Sequence, residues 1–186
     1  MINWKDEEPD IRVLNWNEFP WDKLKINKNE FMDLLNQRNY IFFNKNAWNS
    51  IWEHGKSSRS EVGGLLLGLV FKYNENYLWY IEETIYNQDI TNSISHLIMY
   101  PSLWQEANQK ILNKEGYPEK FILGWYHTHP NFTPFFSLTD QNTHKNFFNY
   151  EYSIGMVLDP FSERFIIYIG KDIKEYKDLI AIYNIL

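Results

Sequence analysis

Hydrophobic and polar positions change their pattern several times along the chain. Residues 1–39 show no sustained period: Trp4, Trp16 and Trp21 are scattered around Pro9 and Pro20. A short amphipathic stretch then predicts a helix capped by Asn29, with Phe31, Leu34 and Leu35 on its inner face, ending near Asn39. We read 1–39 as an N-terminal extension and 40–186 as the compact domain.

The apolar run Tyr40–Phe43 predicts a strand. Across Asn44 to Lys56, the spacing of Ala47, Trp48, Ile51 and Trp52 predicts a helix, with Gly55 marking its end. Glu61 opens a long strand through Phe71, and a turn at Tyr73–Asn76 leads to a second strand over Tyr77–Tyr86. Ser102–Glu115 predicts a helix closed by Gly116, and Phe121–Tyr126 a strand that runs into two histidines. Asp140–Tyr150 has helical character. Tyr152–Leu158 and Arg164–Ile169 read as strands joined through Asp159-Pro160, and the spacing of Tyr176, Leu179, Ile180 and Tyr183 predicts a last helix over Asp172–Leu186. Strands and helices mixed without regular alternation predict an α+β fold: one domain with a central mixed sheet flanked by helices.

Composition narrows the chemistry. The 186 residues are 44% hydrophobic, enough for a real core, and carry a net charge of −6. That acidic balance lacks the basic excess needed to grip nucleic-acid phosphates, so no nucleic-acid partner is expected. There are no cysteines, so thiolate metal sites and disulfides are excluded, and any metal must be held by His and carboxylate. The longest apolar run, Val62–Phe71, is far short of the roughly 20 residues of a spanning helix and contains three glycines. The start of the chain turns acidic at Asp6-Glu7-Glu8 where a signal peptide would turn apolar, and a cytoplasmic location is expected. Aromatic residues make up 18% of the chain, more than a small core requires, so some rings are expected at a binding surface.

Of the five histidines, His127 and His129 form the motif His127-Thr128-His129-Pro130. On an extended chain, residues i and i+2 leave the same face about 6.7 Å apart, so both rings can converge on a metal. His54 and His96 read as surface residues, and His144 as a solvent-facing or supporting position without a role of its own. Ser137-Leu138-Thr139-Asp140 taken alone reads as a helix cap. Beside two histidines, Asp140 gains a second meaning, because a carboxylate in the first helical turn is held ionised by the helix dipole and suits a zinc ion. Two His and one Asp leave an open position, the catalytic rather than the structural arrangement. Glu61, heading an apolar strand before Gly63-Gly64, is placed awkwardly unless it points into a site.

These elements together resemble the JAMM (JAB, or MPN-plus) metalloprotease family, whose pattern is a Glu before a Gly-rich strand, then His-Ser/Thr-His-Pro, then Ser-x-x-Asp. The resemblance spans about residues 40–170 and extends to Thr143 and Val157-Leu158-Asp159-Pro160. It implies one Zn²⁺ held by His127, His129 and Asp140, Glu61 as general base and then proton donor, and Ser137 as a hydrogen-bond donor to the oxyanion. It also implies an isopeptidase or peptidase acting after the C-terminal Gly of ubiquitin or a ubiquitin-like protein, in deconjugation or precursor processing. Companion activating and conjugating enzymes are the implied partners, with a bacterial antiphage system as one setting. Relatives that serve as non-catalytic scaffolds, or as phage-tail or cell-wall peptidases, define the alternatives. Eukaryotic members often carry Cys and Trp where this chain has Pro134 and Phe135. The apolar character persists, so a substrate-groove wall is expected there. The two insertions that set ubiquitin-chain linkage choice are short or missing, so no linkage preference follows.

Overall fold

In the computed structural model, the structure describes residues 38–86, 101–113 and 120–183, together with residues 14, 15, 19, 21, 27, 29 and 31. The strands are β1 (Leu14–Asn15), β2 (Tyr40–Asn44), β3 (Gly63–Tyr73), β4 (Asn76–Tyr86), β5 (Phe121–Thr128), β6 (Ile154–Asp159), β7 (Arg164–Ile169), β8 (Lys174–Glu175) and β9 (Leu179–Tyr183). Among the described residues, three complete helices join them: α1 (Lys45–Lys56), α2 (Pro101–Leu112) and α3 (Leu138–Phe147). One mixed sheet runs β8-β7-β6-β5-β3-β4-β2-β9, with β1 added alongside β3. The expected α+β class and central mixed sheet are what the chain forms.

β3 is buried on both faces, which is why it shows a continuous apolar run instead of alternation. Its even residues Leu66 and Val70 meet α1 through Ala47 and Ile51. Leu65 and Leu67 face the opposite side, where Leu103 and Ala107 of α2 pack with Trp125, Phe136 and Phe148. Further along that side, Leu69 and Phe71 meet Phe19, Trp21 and Phe31, so aromatic rings from the first part of the chain close the sheet there. Phe31 follows a helical start capped by Asn27, not Asn29: the Asn29 amide donates to the Asn27 side chain at 3.1 Å. Leu34 and Leu35 lie outside the described residues.

Two further expectations about secondary structure are corrected. Gly55 does not end α1; it lies inside the helix, where an added Cβ would sit 3.1 Å from Pro160 and 3.2 Å from Thr128. The glycine lets the helix lie close against the ends of β5 and β6. The final stretch is not a helix but strands β8 and β9, with β9 pairing in parallel to β2 from Tyr40↔Leu179 to Asn44↔Tyr183. Without β9 that edge of β2 would leave backbone groups unpaired, and Ile180 and Ala181 pack toward opposite faces with the period of a strand. Among the described residues, no helix is long and apolar enough to cross a membrane.

Candidate metal centre

The site forms where β3 begins and β5 ends. The two strands are antiparallel, with Gly63 opposite His127. A side chain at Gly63 would place its Cβ 2.5 Å from the Tyr126 carbonyl, so only glycine lets the strands approach this closely beside His127. Just outside the ladder, Val62 and Thr128 lock together: the Val62 amide donates to Thr128 Oγ1 at 2.9 Å, and the Thr128 amide donates to the Val62 carbonyl at 2.8 Å. This pair carries Glu61 alongside His127-Thr128-His129. The His129 amide donates to the Leu158 carbonyl at 2.8 Å, so the parallel neighbour β6 holds the second histidine.

Asp140 arrives from α3. Its Oδ2 accepts the Ser137 amide at 2.7 Å, while Ser137 Oγ accepts the Asp140 amide at 3.2 Å, a reciprocal capping box. The other carboxylate oxygen, Oδ1, lies 3.3 Å from His127 Nε2. The capping and metal-binding readings of Asp140 are therefore compatible, one oxygen for each. Burial pushes the Asp140 carboxyl up, but the His127 hydrogen bond and charge and the bonds that the Ser137 hydroxyl and amide donate to the carboxylate outweigh it, and the net shift is below the ordinary carboxylate range.

His127 Nε2 and His129 Nε2 face each other at 3.2 Å, and His129 Nε2 is 3.9 Å from Asp140 Oδ2. All three residues are buried. A tetrahedral cation with bonds of about 2.0–2.1 Å separates its donors by about 3.3 Å, which the His127–His129 and His127–Asp140 Oδ1 separations match; the 3.9 Å approach of His129 is to the capping oxygen Oδ2, and one ligand atom from each residue lies within 4.8 Å of the others. Two imidazole nitrogens and an ionised carboxylate, gathered out of water, form the donor set of a divalent cation. Burial, followed by the neighbouring His127, lowers the His129 pKa, which favours the unprotonated ring that a metal needs.

Glu61 stands on the open side. Its Oε1 is 3.8 Å from His129 Nε2, and its side chain is 46% exposed, against 8% or less for the three donors. Burial raises the Glu61 pKa; His129 lowers it and Asp140 raises it further. The structure thus brings all five expected site residues to one end of the sheet. Phe132 and Phe135, with ring centroids 6.5 and 5.2 Å from His129, are exposed at its rim, as is Leu138 beside Ser137. Phe135, where an apolar groove wall is expected, is thus an exposed ring beside His129.

The roles of Asp159 and His54 do not follow from the sequence, and of the two positions expected for His144 the structure takes the supporting one. Asp159 ends β6 and accepts the Asn131 amide at 3.0 Å, pinning the loop after His129. His54 is buried, not exposed: it stacks on Tyr86 at 4.0 Å, and its Nδ1 lies 2.8 Å from the Tyr126 hydroxyl. His144 is also fully buried and faces no solvent. Helical spacing from Asp140 could have placed His144 inward, but no sequence signal specified its partners. His96 lies outside the described residues.

Burial pushes both His54 and His144 down to about 4, with the Gly170 hydrogen bond partly opposing it in His144. The unfolded chain, with ordinary values near 6.5, therefore binds more protons between pH 6.5 and 4. Stability is fully present above about pH 6.5 and falls on acidification through that window, by on the order of 1.4 kcal/mol per pH unit for each ring. Urea midpoints measured from pH 7 to pH 4 should decline accordingly. A flat profile would contradict the buried neutral state of both rings.

The fold and the side chains at its end define a mixed α/β domain with a buried His-His-Asp group that could hold a metal ion. A family model described as JAB1/Mov34/MPN/PAD-1 ubiquitin protease matches residues 43–152, and the chain belongs to that family. Among solved structures, the solution structure of protein DSY2949 from Desulfitobacterium hafniense is similar, with a TM-score of 0.55 and 17% identity. That likeness covers 77% of this chain and 93% of the other, and speaks to the fold alone. No curated protein matches the sequence.

Proposed function

We propose that the chain is a zinc-dependent isopeptidase or peptidase that cleaves after the C-terminal Gly of ubiquitin or a ubiquitin-like protein. The observation that supports this reading is the half-exposed Glu61 carboxylate, 3.8 Å from His129 Nε2, beside a buried His127-His129-Asp140 donor set. His127, His129 and Asp140 would hold the metal, which supplies Lewis-acid polarisation and a water acidified toward a pKa of about 7.

The chain's own groups carry the rest. Glu61, facing solvent and raised in pKa, takes the proton of the attacking water and passes it to the leaving amine. Ser137 Oγ accepts the Asp140 amide and its hydroxyl also donates toward the Asp140 carboxylate; with that carboxylate committed to the metal, the hydroxyl would turn to donate to the oxyanion. The rim formed by Phe132, Phe135 and Leu138 gives an extended, apolar-flanked tail a surface to lie on. A ubiquitin-like modification pathway, with activating and conjugating enzymes as companions, and a cytoplasmic setting belong to this proposal. So does a role in bacterial defence.

The test is cleavage of linear fusions carrying a Gly-ended ubiquitin-like protein, with and without a chelator, alongside metal analysis. Chelator-sensitive cleavage after the Gly, with one zinc per chain, is expected. Stoichiometric metal without cleavage of any such fusion would redirect the reading to another peptide substrate. A folded chain that takes up no metal would redirect it to a scaffold.

A further inference from the structure

A histidine that binds a metal through one ring nitrogen is ordinarily oriented by a hydrogen bond from the other. His127 has no such bond: its Nδ1 is buried without a partner. Its imidazole lies instead flat against the Trp125 indole, with centroids 4.6 Å apart and planes at 12°. The indole is in turn anchored, because Trp125 Nε1 donates to His144 Nδ1 at 3.1 Å. His144 Nε2 lies 3.2 Å from the Gly170 carbonyl. An indole N–H can only donate and a carbonyl can only accept, so these partners assign one neutral tautomer of His144, with the proton on Nε2.

The two ends of this chain of contacts are themselves fixed. Gly170 sits at φ +76°, a turn conformation that favours glycine, and its amide donates to the Ser153 carbonyl at 2.8 Å. Phe136 closes the remaining side, 5.6 Å from Trp125, 5.8 Å from His144 and 6.0 Å from His127. Gly155 makes room for that ring, since a Cβ there would come within 2.2 Å of Phe136. A histidine in this apolar cluster is costly to bury unless both nitrogens are used, and here both are.

We propose that Trp125 and His144 are positioning residues that set the plane of the His127 imidazole, and so set how tightly the site holds a divalent cation. The inference rests on the metal-site reading above and adds to it the device that orients one donor. Stacking replaces the usual outer hydrogen bond, and the Trp125–His144–Gly170 bonds keep the stacking partner from rotating.

Co²⁺ and Zn²⁺ titrations of the full chain against a competing chelator test it, with the visible spectrum of the Co²⁺ form as a second readout. His144→Leu removes the acceptor for the indole. It is expected to weaken both metals roughly 10–100-fold, the range typical of outer-shell partners, and to shift the Co²⁺ bands. His144→Gln, which can both accept from the indole and donate to Gly170, should recover most of that loss. Trp125→Phe keeps a ring but loses the anchor, and should fall in the same direction if His144→Leu does not fold. A folded His144→Leu or Trp125→Phe protein with wild-type affinity and spectrum overturns the proposal. His144→Gln as weak as His144→Leu overturns it too, by reducing the residue to packing. A wild-type chain that takes up neither ion removes the metal site itself, and this inference with it.

Discussion

Glu61→Gln is expected to lower kcat by roughly 10²–10⁴-fold while leaving metal content unchanged. Glutamine keeps the size and the backbone of the segment held by Val62 and Thr128, but it cannot accept a proton. Because Glu61 is half-exposed and its Oε1 stands 3.8 Å from His129 Nε2, the loss should fall on turnover and not on folding or metal affinity. Single-turnover cleavage of a Gly-ended fusion, with zinc measured on the same sample, separates the two. Near-normal turnover would remove Glu61 from the reaction, and a matching fall in zinc would recast it as a metal ligand.

Asp140→Asn should have the largest effect on the metal. Outer-shell partners alone are worth roughly 10–100-fold in affinity, so losing the charge of a direct donor is expected to cost more than about 100-fold. The same change should spare α3, because an asparagine oxygen can still accept the Ser137 amide that Oδ2 accepts at 2.7 Å. Asp140→Ala removes both functions, so it should also lower thermal stability by about 0.5–1.5 kcal/mol, the usual net worth of a hydrogen bond such as the one from the Ser137 amide. Metal titration and melting of the two variants side by side read the roles apart. Equal melting temperatures for Asn and Ala would deny the cap, and retained metal in Asp140→Asn would deny the donor.

Much of this was legible in one dimension, for a physical reason. His127 and His129 are two residues apart at the end of an extended segment, and strand geometry alone puts them on one face. Ser137 and Asp140 are spaced as a capping box, and the helix start follows from local hydrogen bonding. β7 falls on the residues expected, Arg164–Ile169, because it is a short run of β-branched and aromatic residues bounded by turns, and α1 on Lys45–Lys56 within the expected stretch, because its apolar residues keep a helical spacing. The last segment fails for the opposite reason. Tyr176, Leu179, Ile180 and Tyr183 fit a helical period, but the free edge of β2 pairs with Leu179–Tyr183 and overrides it. That edge is invisible to any window along the sequence.

His54 and His144 make the same point about single residues. Residue type alone does not distinguish a buried histidine from an exposed one; Tyr126 and Tyr86 enclose the first, and Trp125 and Gly170 satisfy the second, from 19 to 72 positions away along the chain. The sequence by itself determined which side chains are chemically equipped to hold a cation and move a proton, because residue type and short-range spacing carry that information. Only the tertiary structure decided that Glu61 meets His129 at 3.8 Å and that an indole, not a hydrogen bond, lies against His127. Those distances depend on the register of β3 against β5 and on packing between remote segments, which no local pattern encodes.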